Sequence, residues 1–209
     1  KSGDNSTNLI LFGSTGTGKT ALLQNFIKEK GEENFLYMTV GTGWTLNELL
    51  RALTNKNYPT TARLMHCLKE MLKKNPKIIV LDELKRMKNK EQLSLLMSAL
   101  NEIWRETEGS PIILSTTIFN INEYQERDGL TTLGFRPVFF QVYNVEQLKE
   151  IFTERTKNFQ ERYGFSIDRT SIYQACLLVF DDGDSSARQV RRILKQCLAK
   201  QNFNFFKIN

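Results

Sequence analysis

The chain has 209 residues, 40% of them hydrophobic, and a formal net charge of +6 with an isoelectric point near 9.2. That length suits one large domain, or a core with a small satellite, with enough apolar residue for a real core, and the basic balance favours a polyanionic partner. No apolar run approaches the roughly 20 residues of a membrane span, and the polar stretch 1–8 lacks the apolar region of a signal peptide.

Five short runs rich in branched residues, at 9–12, 35–40, 78–81, 112–114 and 138–142, alternate with longer helical patterns. Such alternation predicts an α/β fold built on a five-stranded parallel sheet. The first run leads into Gly13-Ser14-Thr15-Gly16-Thr17-Gly18-Lys19-Thr20, and an amphipathic helix follows from Ala21. A glycine-rich turn between strand and helix lets backbone N–H groups curl around phosphates at the positive end of the helix dipole. Lys19 then neutralises phosphate oxygens, and the Thr20 hydroxyl is placed to ligate Mg²⁺. The ligands expected are therefore a nucleoside triphosphate and Mg²⁺.

Between the second and third runs, where a simple crossover needs one helix, the sequence offers two. Leu46, Leu49, Leu50 and Leu53 make one stripe, and Leu64, Cys67, Leu68, Met71 and Leu72 another, with Pro59 in the linker 54–61. The third run ends in Asp82-Glu83, at the sheet edge that parallel topology shares with the phosphate loop. Asp82 is a candidate Mg²⁺ holder, and Glu83 a candidate for polarising the attacking water. A helix over 91–106 precedes the fourth run, which ends in Ser115-Thr116-Thr117. Thr117 or Thr116 is placed to hydrogen-bond the attacking water or the terminal phosphate.

After the fifth run three helical patterns follow without another strand, at 145–163, 170–180 and 186–201. This predicts a nucleotide-binding core over 1–143 and a small all-helical domain over 144–209. The tail 202–209 carries three phenylalanines with no element to bury them, so a further C-terminal domain is expected. Arg188, near the start of the last helix, is positioned to swing over the phosphates, whereas Arg191 and Arg192 read as surface charges or nucleic-acid contacts. Cys67, Cys176 and Cys197 are odd in number, lack CxxC spacing and read as reduced thiols of an intracellular protein, and His66 lacks metal-ligand company.

Together these residues resemble an AAA+ ATPase, with GSTGTGKT as Walker A, IIVLDE as Walker B, the Ser-Thr-Thr strand end as sensor 1, Arg188 as sensor 2 and a helical lid. Within that superfamily the chain resembles the replication initiators, the origin-recognition and cell-division-cycle loader proteins of archaea and eukaryotes. The extra helix, the stretch 133–155 with its aromatic-ended strand and QL..I...R helix, and the Gly-Asp before the last helix carry that likeness. The family usually places Asn where Thr117 stands, and holds its sensor 2 closer to the Gly-Asp than Arg188 lies.

The resemblance implies slow ATP hydrolysis that switches binding to double-stranded DNA and assembly with other initiator subunits. The compartment it implies is the nucleus in a eukaryote, or the cytoplasm and nucleoid in an archaeon, with no membrane partner. It also implies an arginine reaching a neighbour's nucleotide, for which Arg127 and Arg136 are the candidates. The inserted segment contacts duplex in the initiators, which makes Arg51, Lys56 and Arg63 candidate DNA contacts. Two other readings share the nucleotide motifs: an AAA+ regulator of transposition, and a STAND-type signalling NTPase that needs no nucleic acid.

Overall fold

A computed structural model describes residues 8–107, 109–117, 134–163, 169–181, 189–190 and 192–193. Its contacts divide the chain into two compact units, Lys1–Gly13 with Gly18–Phe140, and Ser14–Thr17 with Gln141–Asn209.

The first unit is built on one parallel sheet. Its strands are β1 (Leu9–Gly13), β2 (Phe35–Thr39), β3 (Ile78–Asp82), β4 (Ile112–Thr116) and β5 (Arg136–Phe140), in the order β2-β3-β4-β1-β5. Both faces are covered, so the central strands read as apolar runs rather than alternating ones. On one face Ile10, Phe12, Ile79, Leu81, Ile112 and Leu114 pack against α2 (Leu46–Thr54), α3 (Thr61–Lys74) and α4 (Lys90–Glu106). On the other, Leu11, Phe35, Val80 and Ile113 pack against Leu23 and Ile27 of α1 (Lys19–Lys30).

The inserted helix is α2. Thr45 and Glu48 form a capping box at its start, and Asn55 ends it at φ 51°, a left-handed conformation that Asn tolerates. Asn8 is wholly buried: its side-chain oxygen accepts from Ile112 N at 2.8 Å and its carbonyl from Arg136 N at 2.8 Å. It thereby ties together the starts of β1, β4 and β5.

Two sequence expectations need correction. The fifth strand lies two residues earlier than 138–142, because pairing begins where Arg136 faces Leu9. Pro137 interrupts no ladder there, since β5 is an edge strand, where proline is tolerated. The stripe on α3 is also rotated: Leu64, Met65, Leu68 and Leu72 are buried, Cys67 is half-buried and Met71 is exposed.

The position that turns inward unexpectedly is Lys69, whose ammonium pairs with Glu102 and, at 2.7 Å, with Glu106 on α4. Burial alone would lower the Lys69 pKa, yet the two carboxylates override it and raise it above 10.5, while the hydrogen bond from Lys69 lowers Glu106 below 4.5. The lysine's contribution is complete below its unfolded value and is lost as pH rises through the raised folded one. The glutamate's contribution is present above its unfolded value and is lost as pH falls through the lowered one. Melting curves of Lys69→Met and wild type should therefore differ most between about pH 5 and pH 10, and converge in acid and in alkali.

In the second unit, α5 (Val145–Tyr163) and α6 (Arg169–Asp181) bury Leu148, Phe152, Ile172, Ala175, Cys176 and Val179, with Val190 joining them. Asn144 and Gln147 exchange side-chain to backbone hydrogen bonds of 2.8 and 3.0 Å at the start of α5, a reciprocal cap. Burial pushes the Cys176 thiol up to about 11, which keeps it protonated and inert. Cys197 and most of the stretch 186–201 lie outside the described residues.

Candidate functional site

β1 ends at Gly13 and α1 begins at Lys19, so the expected loop spans the strand-to-helix turn. Gly16 and Gly18 adopt φ 88° and 91°, which a side chain would disfavour. Within the loop the Thr17 hydroxyl donates to the Ser14 carbonyl at 2.9 Å, and in the same unit the Tyr143 hydroxyl donates to the Thr17 carbonyl at 3.0 Å. Ser14 and Ala21 are exposed, and Thr15 is half-buried.

Lys19 is buried, and its ammonium donates to the Gly13 carbonyl. Burial lowers its pKa, while Glu83 and then Asp82 oppose the shift by attracting the ammonium. One turn on, the Thr20 hydroxyl donates to Asp82 Oδ2 at 2.6 Å, joining the first turn of α1 to the end of β3. The other carboxylate oxygen of Asp82 accepts from the Glu83 N–H at 2.9 Å.

A hydroxyl beside a single carboxylate is a hard oxygen set that leaves most coordination positions to phosphate and water, the arrangement Mg²⁺ favours. Among the described residues no group of three or more His, Cys, Asp or Glu could hold a metal by itself. Thr20 and Asp82 therefore fit a Mg²⁺ carried in with a nucleotide rather than a resident metal.

Sheet alternation sorts the hydroxyls at the end of β4. Ile112 and Leu114 face α2, α3 and α4, and so does Thr116 by period two; Ile113 faces α1, and so do Ser115 and Thr117. Asp82 shares that second face, two residues beyond Val80. Of the two threonines left open by the sequence, Thr117 thus follows the alternation onto the side of α1. The side-chain oxygens of Ser115 and Thr117 are buried without a hydrogen-bond partner. Buried hydroxyls of that kind call for a partner.

Glu83 has φ 62°, a left-handed conformation in a non-glycine residue. Backbone strain of that sort concentrates at functional sites. Its carboxylate lies 3.5 Å from Arg86 Nε. Tyr37 of β2 escaped the sequence reading: its hydroxyl lies 3.0 Å from Thr39 Oγ1 and donates to Asp82 Oδ2 at 3.4 Å. Burial raises the Tyr37 pKa, so the phenol remains a donor to the carboxylate. Only register reveals this contact, because residues 37 and 82 meet through strand pairing.

Arg188 and Arg127 lie outside the described residues. Arg136 is exposed and opens β5 opposite Leu9, whereas Phe140 faces Gly13. It therefore stands about 13 Å from the level of Gly13 along the strand direction. Arg51 is half-buried and donates to the Tyr58 carbonyl at 3.5 Å, so it braces the inserted loop. Lys56 and Arg63 are exposed, and Arg63 lines a groove on α3 with Tyr58, His66 and Met71.

The family model described as an AAA domain matches residues 3–124. The chain is 24% identical over 209 residues to ORC1-type DNA replication protein 1 of Sulfurisphaera tokodaii, an alignment covering 92% of this chain and 52% of that one. It is 26% identical over 213 residues to the protein of the same name from Archaeoglobus fulgidus, covering 92% and 51%. The chain thus spans about half the length of the curated relatives it matches. Among solved structures it shares the fold of the Aeropyrum pernix Orc1 protein in complex with DNA, with a TM-score of 0.64 at 19% identity, covering 88% of this chain and 51% of that chain.

Proposed function

The chain belongs to the AAA domain family, and from that premise we propose that it binds and slowly hydrolyses Mg·ATP, and that the nucleotide switches its hold on double-stranded DNA and on other initiator subunits. The observation that carries the nucleotide site is the hydrogen bond from Thr20 to Asp82, which joins two motifs 62 residues apart. In this reading Lys19 neutralises the β and γ phosphates, Thr20 and Asp82 hold Mg²⁺, and Glu83 polarises the attacking water. Thr117 supplies a hydroxyl on the α1 side of the sheet. The core extends over 1–143 and a helical lid over 144–209, with Arg188 as the lid's contact to the phosphates and Arg136 or Arg127 acting on a neighbour's nucleotide.

The initiator reading rests on the ORC1-type relatives and on the helix α2 inserted between β2 and β3. The two basic residues that the inserted segment exposes, Lys56 and Arg63, suit phosphate contacts that carry little sequence information. Titration of labelled duplex at two salt concentrations, with and without ATP, tests the proposal. Binding should be stronger with ATP and weaken with salt. The Arg51→Ala/Lys56→Ala/Arg63→Ala variant should flatten the salt slope by about two, since each phosphate contact contributes roughly 0.9. Absence of binding at low salt would favour the signalling-NTPase reading instead.

A further inference from the structure

A second basic surface lies at the sheet's loop edge, directly after the Walker B acids. Lys85, Arg86, Lys88 and Lys90 are all exposed, four cations within six residues. The segment is held in place by its backbone. Gly43 N donates to the Arg86 carbonyl at 2.7 Å, Lys88 N donates to the Trp44 carbonyl at 2.8 Å, and Trp44 and Met87 form a parallel bridge. The connection between β2 and α2 thereby supports the cationic segment from beneath.

What points outward is as informative. The segment's apolar residues, Leu84 and Met87, are buried, and the Trp44 indole lies against Gly41, where an added Cβ would meet Nε1 at 2.1 Å. A protein partner would want an apolar or aromatic anchor, and unpaired bases would want an exposed aromatic ring to stack on. The segment offers neither, only cations beside the exposed Thr42 and Gly43. Among the described residues, the acids beside the segment are Glu83, paired with Arg86, Glu48, which caps α2 with Lys88 close by, and Glu91 in the first turn of α4.

We infer that Lys85, Arg86, Lys88 and Lys90 form a contact surface for the phosphate backbone of duplex nucleic acid, distinct from the inserted α2–α3 segment. This rests on the proposed DNA-binding role. Lys85 is close enough to the phosphate loop to act on the Lys19 ammonium, so the surface adjoins the nucleotide site.

The test uses Lys88→Ala/Lys90→Ala, which spares the two cations nearest Glu83 and Lys19. Its control is Lys28→Ala/Lys30→Ala at the exposed end of α1, which removes the same charge elsewhere. Duplex binding by the ATP-bound chain is measured across a salt series, with circular dichroism confirming the fold of each variant. The log–log salt slope should flatten by about two in the Lys88/Lys90 variant and stay near wild type in the control. Equal slopes in both variants would overturn this surface while leaving DNA binding itself intact. Failure of the wild-type chain to bind duplex would overturn the DNA-binding role and this surface with it.

Discussion

Replacing Lys19 by alanine should weaken ATP binding by about 2–3 kcal/mol, the scale of a lost charge-assisted contact. That corresponds to roughly 30- to 150-fold in affinity. The ammonium is buried and faces Glu83 and Asp82, so the chain has already met part of the cost of desolvating it before phosphate arrives. Without it, the phosphates would lose one full positive charge that the loop N–H groups and Mg²⁺ do not replace. Calorimetry gives the affinity directly, and an unchanged value would remove Lys19 from the site. The fold should survive, since Lys19 begins α1 and the helix buries Leu23 and Ile27 on its own account.

Glu83→Gln should behave in the opposite sense, sparing ATP affinity and lowering turnover by roughly 10²- to 10⁴-fold, the range for loss of a general base. In the proposed site Mg²⁺ falls to Thr20 and Asp82, which would leave the Glu83 carboxylate to contribute mainly in the transition state. Glutamine keeps the size of the side chain and its place beside Arg86, leaving the left-handed backbone at this position undisturbed. Steady-state hydrolysis together with nucleotide affinity separates the two effects. Turnover equal to wild type would assign the water to another group.

The places of the two candidate nucleotide motifs in the fold were readable because each is contiguous and defined by its neighbours. Gly13 to Thr20 needs only a strand before and a helix after, and Asp82-Glu83 needs only a buried strand ending there. The inserted helix was readable for a similar reason, as Leu46, Leu49, Leu50 and Leu53 repeat at helical spacing and all four are buried.

What escaped depends on pairing between distant segments. Tyr37 reaches Asp82 only through the register of β2 on β3, and Asn8 reads as part of a polar leader until its side chain is seen to serve β4. The choice between Thr116 and Thr117 needed the face assignment of Ile113 and Leu114. On α3 the stripe read from the sequence included Cys67 and Met71, and only contact with α4 decides that Lys69 turns in while Met71 turns out.

The proposed function requires one site, made by Lys19, Thr20 and Asp82, that binds ATP together with magnesium. Titrating the wild-type chain with ATP by calorimetry, first with Mg²⁺ and then with excess chelator, tests it most directly. One ATP should bind per chain, with an affinity that drops when Mg²⁺ is withdrawn, because Thr20 and Asp82 then have no cation to share with the phosphates. No binding at millimolar ATP, or binding indifferent to both Mg²⁺ and Lys19→Ala, would rule out a Mg·ATP site at these residues.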